Sequence, residues 1–322
     1  MSDRRGLFEH ALGTERREEH GYCTDDNARL LLVAAREPDI GAAHALGRIA
    51  LEFVLHAQDA QGNSWNRMDV AGNWTDKPST EDCWGRSIWA LGVASTHHTD
   101  NLVRERAFRG FQNGIQQRSK WPRSMAFAAL GAAEVLNMNP NFEPARDLLS
   151  DAIELIGKIS TSGWRWPEPR LTYANALLAE ALIASGTALG RSNSIEQGLV
   201  MLDWLLEIET QPGHLSVTGT GGRGPKDRRP QFDQQSIEGA AIADACRRAL
   251  CLTGQSKWLR GLKLSRDWFM GLNDAGLPMY DAISGGGYDG LHPKSVNLNQ
   301  GAESTLAFVS TFQRSGTLAT QS

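Results

Sequence analysis

The stretch Tyr22-Cys23-Thr24-Asp25-Asp26-Asn27-Ala28-Arg29 brings two carboxylates, an amide and a guanidinium together, and the apolar run 30–35 follows it directly. A polar cluster that leads into a helix-forming run is typical of a helix N-terminus. There Thr24, Asp25 or Asp26 can cap free backbone N–H groups. Because the same arrangement recurs further along the chain, we expect a repeated helical unit.

Two kinds of helical segment alternate along the sequence. Six are rich in Ala, Gly and Ser and apolar nearly all round, and they begin near Asp26, Asp82, Ser124, Tyr173, Gln235 and Gly301. Five are amphipathic and charged on one face, at about 41–58, 101–117, 143–158, 194–209 and 256–272. A helix that is apolar all round is buried, whereas an amphipathic helix covers it from outside.

This alternation predicts an all-α protein built from helical hairpins that repeat loosely, every roughly 40 to 65 residues. Six inner helices closing into a ring give an (α/α)6 toroid, with small hairpins in the loops at its mouth. We expect residues 1–322 to form one such domain. A helical solenoid is the competing architecture, although its loops would be shorter and more uniform. Residues 7–19 are the segment left to supply the sixth outer helix.

Composition excludes several classes of function. The net charge of −4 and the lack of a basic stripe with interleaved aromatics argue against nucleic-acid binding. No apolar run approaches the ~18–20 residues that span a bilayer, so no membrane association is expected. The segment 1–5 lacks the apolar core of a signal peptide, which predicts a cytoplasmic protein.

The sequence also predicts that no metal or cofactor is bound. The four cysteines form no C-x-x-C pair, and the histidines lack ligand spacing. The glycine-rich segment 219–224 lacks the Gly-Lys-Ser/Thr ending of a phosphate-binding loop, and no predicted strand precedes it.

Acidic residues stand at the starts of the inner helices. In a toroid those helices point the same way, so their N-terminal ends converge on one mouth. Carboxyl groups crowded at this mouth would differ in pKa. The one with the higher pKa could then act as a general acid and the one with the lower pKa as a general base. Glycoside hydrolysis needs such a pair, about 5 Å apart for retention and roughly 6.5–9.5 Å for inversion. We predict Asp82 or Glu303 as the acid and Asp26 or Asp233 as the base.

Aromatic and polar residues beside these acids are candidates for binding a saccharide. The predicted stacking residues are Tyr22, Trp84, Trp164, Trp166, Tyr173 and Tyr288. The predicted polar contacts are Asp25, Asn27, Arg29, Glu81, Arg86, Asn175, Gln234, Gln235, Glu238, Asp289, Asn299 and Gln300. Taken singly, an acid at a helix start fits a cap or a first-turn carboxylate. The joint occurrence of acids with Trp, Gln-Gln or Arg favours a site.

Motifs across nearly the whole chain resemble those of a known family. They are His20-Gly21-Tyr22-Cys23-Thr24-Asp25-Asp26-Asn27-Ala28-Arg29, Glu81-Asp82 with Gly85-Arg86, Leu171-Thr172-Tyr173 with Asn175, Phe232-Asp233-Gln234-Gln235 with Ile237-Glu238, Tyr288-Asp289-Gly290-Leu291, and Asn299-Gln300-Gly301-Ala302-Glu303-Ser304-Thr305. The sequence resembles a bacterial family of six-hairpin toroid domains that are often encoded beside or fused to glycosyltransferases.

The resemblance implies the toroid fold and a role in carbohydrate metabolism. Two positions depart from the family pattern, because Cys83-Trp84 stands where Ser-His is expected and Ala174 where Asp is expected. An acid missing at position 174 would alter activity or substrate if relatives depend on it.

Three functions fit the sequence. The first is a glycoside hydrolase, inverting rather than retaining, that acts on an oligosaccharide or polysaccharide. The second is a sugar epimerase or lyase, which needs a proton shuttle from Tyr22, Tyr173, Tyr288, His20 or His292. The third is a non-catalytic sugar-binding or scaffold domain that serves a glycosyltransferase partner.

Overall fold

Eleven α-helices make up most of the residues described by the computed structural model, which are 1–37, 41–160 and 163–316. In chain order the helices are α1 (Thr24–Ala35), α2 (Gly41–His56), α3 (Asp82–His97), α4 (Asn101–Gly114), α5 (Pro122–Met138), α6 (Glu143–Ile156), α7 (Ala176–Leu189), α8 (Ser192–Glu209), α9 (Ser236–Thr253), α10 (Ser256–Phe269) and α11 (Ala302–Gly316). All eleven predicted segments are helical. None of the helices in these ranges is long and apolar enough to cross a membrane.

The alternation of two helix kinds is confirmed by burial. Helix α3 buries every residue from Cys83 to Ala94. Its neighbour α4 buries only Val103, Ala107, Gly110, Phe111 and Gly114, which recur at helical spacing along one face. The odd-numbered helices therefore form the interior, and the even-numbered helices cover them.

The chain groups into two compact units. Unit 1 contains residues 1–11, 15–156 and 184–191, and unit 2 contains residues 12–14, 157–183 and 192–322. In unit 1, α3 packs on α1, α4 and α5, while α2 covers α1 and α6 covers α5. In unit 2, α9 packs on α8, α10 and α11. The assignment of residues 1–322 to a single domain stays a prediction.

Helices α3 and α5 pack unusually closely, and they run parallel. Gly85 faces Ser124 and, further along both helices, Gly92 faces Gly131. A Cβ atom added to Gly92 would stand 2.5 Å from the Gly131 carbonyl oxygen. The small residues of the inner helices are thus what allows their backbones to touch.

We expect Gly92→Ala to destabilise the protein by about 3 kcal/mol, because the new methyl meets backbone that cannot move aside. Gly41→Ala is the matched control, since a Cβ at Gly41 meets no atom within 4 Å. That change should alter stability by no more than about 0.5–1 kcal/mol. Urea unfolding of the two variants measures the difference, and equal midpoints would contradict the close packing.

Nine two-residue strands lie outside the helices in the part of the chain that the structure describes, three of them before α1. They are β1 (Ala11–Leu12), β2 (Glu15–Arg16), β3 (Tyr22–Cys23), β4 (Arg67–Met68), β5 (Thr210–Gln211), β6 (His214–Leu215), β7 (Gln234–Gln235), β8 (Gly290–Leu291) and β9 (Val296–Asn297). Strand β3 pairs with β4, β5 with β6, and β8 with both β7 and β9. The prediction of small hairpins in the loops is confirmed. Strand β4 pairs with β3 and also within its own loop, where Met68 bridges Trp74.

The assignment of residues 7–19 to a sixth outer helix is wrong. This segment contains β1 and β2, which pair with each other, and a 3-10 turn over Glu18–His20 follows. Its polar stretch from Glu15 to Glu19 offers no apolar face for covering another helix.

The capping prediction at α1 is also wrong. Cys23 is the N-cap residue and makes no side-chain cap, whereas Thr24 already lies in the helix and donates its hydroxyl to the Trp65 carbonyl. The helix predicted to open at Tyr173 begins only at Ala176, because Ala174 has a φ of 45°, outside the helical region.

Candidate active site

Unit 1 brings the N-terminal ends of three inner helices together. Asp25 of α1 lies with Oδ1 3.5 Å from Nε of Arg86 in α3, and Asp82 of α3 accepts a hydrogen bond of 2.8 Å from Ser124 of α5. The Arg86 guanidinium also lies 3.8 Å from the centroid of the Phe127 ring. Three predicted residues therefore meet in one cluster.

The Asp26 carboxylate accepts hydrogen bonds from two neighbouring side chains. The donors are Arg29 Nη1 at 2.6 Å and Cys23 Sγ at 3.0 Å, and Asp26 is 3% exposed. Burial, together with the charge of Asp26, raises the pKa of the Cys23 thiol well above its usual range. The thiol thus stays protonated and donates to Asp26. These contacts favour a structural role for Asp26.

Three other predicted residues of unit 1 are parts of the core. Tyr22 is 1% exposed and donates its hydroxyl to Asp3, and burial followed by this bond raises its pKa to about 12. Trp84 is fully buried, with Nε1 donating to the Gly114 carbonyl. Asn27 is also fully buried and bonds the backbone of Leu7. The sugar-stacking prediction for Tyr22 and Trp84 is therefore wrong, because neither ring presents a face to a ligand. Glu81 is exposed.

One set of donors in unit 1 has the proximity that a metal site requires. Ligand atoms of Glu9, Cys23 and Asp26 lie within 4.8 Å of one another. However, Arg67 pairs with Glu9 and Arg29 pairs with Asp26, so cationic side chains already balance both carboxylates. The donor set fits an ion-pair network better than a metal, and the absence of a metal stays a prediction.

Unit 2 likewise gathers the starts of inner helices. Glu238 of α9 accepts hydrogen bonds from the backbone N–H of Ala174 and Asn175 and from Asn175 Nδ2, immediately before α7. Glu238 is 2% exposed and Asn175 fully buried, so both hold this turn in place. Tyr173, by contrast, is 39% exposed.

Asp289 lies between α9 and α11 and is held by three hydrogen bonds. Its carboxylate accepts from the Gly301 N–H at 2.9 Å, from the Ser304 hydroxyl and from Asn299 Nδ2. Beside it, the Tyr288 carbonyl accepts from the Ser236 hydroxyl at 3.0 Å, which joins this loop to the start of α9.

Asp233 differs from the other acids because its side chain is not tied down. Pairing of β7 with β8 sets it beside Gly290 and His292. Only a glycine fits at position 290, since a Cβ there would stand 2.2 Å from Asp233 Oδ1. That oxygen is buried, receives no hydrogen bond from any described residue, and lies 3.8 Å from His292 Nδ1. The peptide bond between Phe232 and Asp233 is cis.

The surroundings shift the pKa of Asp233 upward. Burial is the largest cause, the positive form of His292 opposes it, and the negative charge of Asp289 adds to it. A carboxyl group with a raised pKa beside an imidazole can both donate and accept a proton. Asp233 and His292 are thus one carboxyl–imidazole pair of unit 2, and His214 Nε2 with Asp274 Oδ1, 3.0 Å apart, is another among the described residues.

The remaining predicted residues of unit 2 divide into buried and accessible ones. Gln234 is fully buried, accepts from Trp268 Nε1 and donates to Asp274. Gln300 is 4% exposed and donates to Asp281. Trp166 is 4% exposed and stacks on Trp204, so the stacking predicted for Trp166 on a sugar is also wrong. The half-buried ones are Trp164, Gln235, Tyr288, Asn299 and Glu303.

A groove of about 440 Å³ lies between α8 and α10, lined by Ser192, Ile195, Glu196, Leu199, Val200, Asp203, Gln255, Lys257 and Trp258. None of the residues predicted for the site lines it. It belongs to two covering helices, whereas the clusters above belong to the starts of inner helices.

The sequence analysis offered His292 only as one of five candidate proton shuttles. His292 follows the Tyr288-Asp289-Gly290-Leu291 motif, but only strand pairing brings it to Asp233.

Buried small-residue helices that alternate with amphipathic ones, with polar clusters at their starts, are the features of an (α/α)6 toroid of the six-hairpin glycosidase-like class. No protein-family model matches the chain, and no curated protein does. Solved structures do. A sugar epimerase from a ruminal bacterium is 13% identical with a TM-score of 0.72, covering 98% of this chain and 94% of that one.

Two further structures share the fold. Cellobiose 2-epimerase from Spirochaeta thermophila is 12% identical with a TM-score of 0.68, over 98% of this chain and 91% of that one. A GH76 alpha-mannanase from Bacteroides thetaiotaomicron is 10% identical with a TM-score of 0.61, over 93% and 87%. At such identities the likeness establishes the fold, and the fold is the predicted (α/α)6 toroid.

Proposed function

We propose that this protein is a carbohydrate-active enzyme whose acid–base centre is Asp233 with His292, and that it epimerises or isomerises a sugar. The observation that carries the proposal is the buried Oδ1 of Asp233, which accepts no hydrogen bond from a described residue and lies 3.8 Å from His292 Nδ1. A sugar substrate is supported by analogy, because the structural neighbours bear the names of sugar enzymes.

The chemistry needs one proton donor and one proton acceptor. When the pair holds a single proton, one member takes the proton from the carbon next to the open-chain sugar carbonyl. The other member gives its proton to the carbonyl oxygen, and a neutral enediol results. Return of a proton to the opposite face of that carbon, while the other member of the pair takes back the proton it gave to the carbonyl oxygen, restores the carbonyl and gives the epimer. Return of a proton to the former carbonyl carbon, while the other member takes the proton of the hydroxyl on the neighbouring carbon, gives the isomer. Burial, and to a lesser degree the negative charge of Asp289, raises the pKa of Asp233 and favours its protonated form.

Hydrolysis of a glycosidic bond is the second candidate, and one observation favours it. Asp289 lies close enough to raise the pKa of Asp233, which is the pairing of carboxylates that glycosidases use. Asp233 would then be the general acid. The roles predicted for Asp26, Asp82 and Glu303, and the inverting outcome, stay predictions. The hydrogen bonds that Asp26 accepts weaken its candidacy as a base.

One experiment separates the two reactions. The protein is incubated in D2O with a panel of reducing disaccharides and oligosaccharides, and the products are followed by NMR and mass spectrometry. Epimerisation or isomerisation places deuterium on carbon next to the anomeric centre and leaves chain length unchanged. Hydrolysis shortens the chain and leaves carbon undeuterated. Neither change with any sugar in the panel would overturn the proposed enzyme activity.

The third function, a sugar-binding or scaffold domain beside a glycosyltransferase, rests on the sequence resemblance alone. Binding of a sugar without turnover in the D2O assay would support it. The glycosyltransferase partner is a proposal on the same basis, whereas the proposed cytoplasmic location rests on sequence composition.

We expect kcat/KM to be bell-shaped in pH. At low pH both Asp233 and His292 hold protons and no acceptor remains, whereas at high pH neither holds one and no donor remains. Because burial raises the pKa of Asp233 from its ordinary 3.8, the acidic limb should lie above pH 3.8. Initial rates between pH 4 and 10 measure the profile. A rate that stays flat across this range would contradict the assignment.

A further inference from the structure

Trp121 is the one exposed tryptophan among the described residues. Its exposed fraction is 49%, whereas the other nine tryptophans are buried or half-buried. It occupies the N-cap position of α5, an inner helix. An exposed indole at the start of an inner helix leaves a large apolar surface in water that the fold itself does not use.

The backbone holds Trp121 in place. Its N–H donates to the Ser119 hydroxyl at 3.1 Å, its carbonyl accepts from the Met125 N–H at 3.1 Å, and Pro122 fixes the first helical residue. A ring on a fixed backbone loses little entropy when a ligand stacks on it.

The Trp121 ring has one cationic neighbour among the described residues. The Lys120 ammonium lies 4.9 Å from the ring centroid, and no other ring or cation of the described residues lies over Trp121. The π-face of an indole is electron-rich and attracts partly positive groups. The C–H groups on the flat side of a pyranose are such groups.

Hydrogen-bonding groups follow Trp121 closely in sequence at the start of α5 and, across the packed helix pair, stand at the start of α3. Ser124, one turn further along α5, donates to Asp82 at 2.8 Å, and exposed Glu81 precedes Asp82 at the start of α3. A stacking face next to carboxylates and a hydroxyl is the combination that recognises a sugar ring, because the apolar side packs and the hydroxyls bond.

We propose that Trp121 is the stacking platform of a saccharide subsite in unit 1, formed with Asp82 and Glu81, which takes one ring of an oligosaccharide. The subsite deepens the proposed function, on which the choice of a sugar ligand rests. It requires no proton transfer and is distinct from the Asp233–His292 pair.

The test is calorimetric binding of cellobiose, cellotetraose and mannotetraose to the full chain. Trp121→Ala should weaken binding of the best tetrasaccharide about tenfold, and Trp121→Phe, which keeps an aromatic face, should stay within about threefold of the parent. Leu259→Ala is the matched control, since Leu259 is 45% exposed on the covering helix α10. It should leave the Kd unchanged.

The outcomes separate this inference from the proposed function. Unchanged binding by Trp121→Ala, with melting temperature also unchanged, overturns the subsite even if turnover is found. Weakened binding by Trp121→Ala with no turnover on any sugar supports the subsite and overturns the enzyme activity. Failure of the parent protein to bind any of the three sugars overturns the subsite as well.

Discussion

Asp233→Asn should lower kcat by about 10²- to 10⁴-fold while leaving the Kd for the sugar nearly unchanged. The amide matches the carboxyl group in size, so the space beside Gly290 stays filled. It cannot exchange a proton, however, and His292 loses the partner that lies 3.8 Å away. Turnover and calorimetric affinity, measured on the same preparation, give both quantities.

Asp203→Asn is the control for this variant. Asp203 lies on the covering helix α8, pairs with Lys257 at 3.0 Å and has a side chain that is 55% exposed. Its replacement should leave kcat within about twofold, because exposed ion pairs contribute little. If Asp233→Asn keeps full turnover while His292→Ala loses none either, the acid–base centre lies elsewhere.

The second large effect concerns stability. Glu238→Ala should destabilise the protein by about 3–5 kcal/mol, because the buried acceptor of three N–H donors is removed. The N–H groups of Ala174 and Asn175 would be left buried without an acceptor, at about 1–3 kcal/mol each. Chemical denaturation monitored by tryptophan fluorescence measures the loss.

Two further variants sharpen this measurement. Glu238→Gln keeps one carbonyl oxygen as an acceptor, so it should lose less stability than Glu238→Ala. Glu207→Ala, at an exposed position of α8, should change stability by no more than about 0.5 kcal/mol. Equal stability of Glu238→Ala and Glu207→Ala would show that the turn before α7 does not depend on Glu238.

The helices were predictable because their signal is local. Periodicity and small-residue content identified all eleven helices. The error at residues 7–19 has a physical cause as well. Residues 7–19 were assigned to a helix because six hairpins require six outer helices. The backbone groups of β1 and β2 instead form hydrogen bonds with each other, so the segment needs no apolar face.

The site was predictable only in part, because burial depends on contacts distant in sequence. Trp84 and Asp82 look equally suited to a ligand in the sequence, yet Trp84 bonds Gly114, thirty residues away, and is fully buried. His292 reaches Asp233 through the pairing of β7 and β8, which connects residues more than fifty positions apart. Local patterns carry no information on such pairings.

The most direct test of the acid–base centre is a crystal structure of the Asp233→Asn variant grown with the disaccharide that the parent protein converts. We predict density for a sugar with its anomeric end within 3.5 Å of the side chains at positions 233 and 292. A sugar bound only elsewhere, for example in the groove between α8 and α10, would contradict the account.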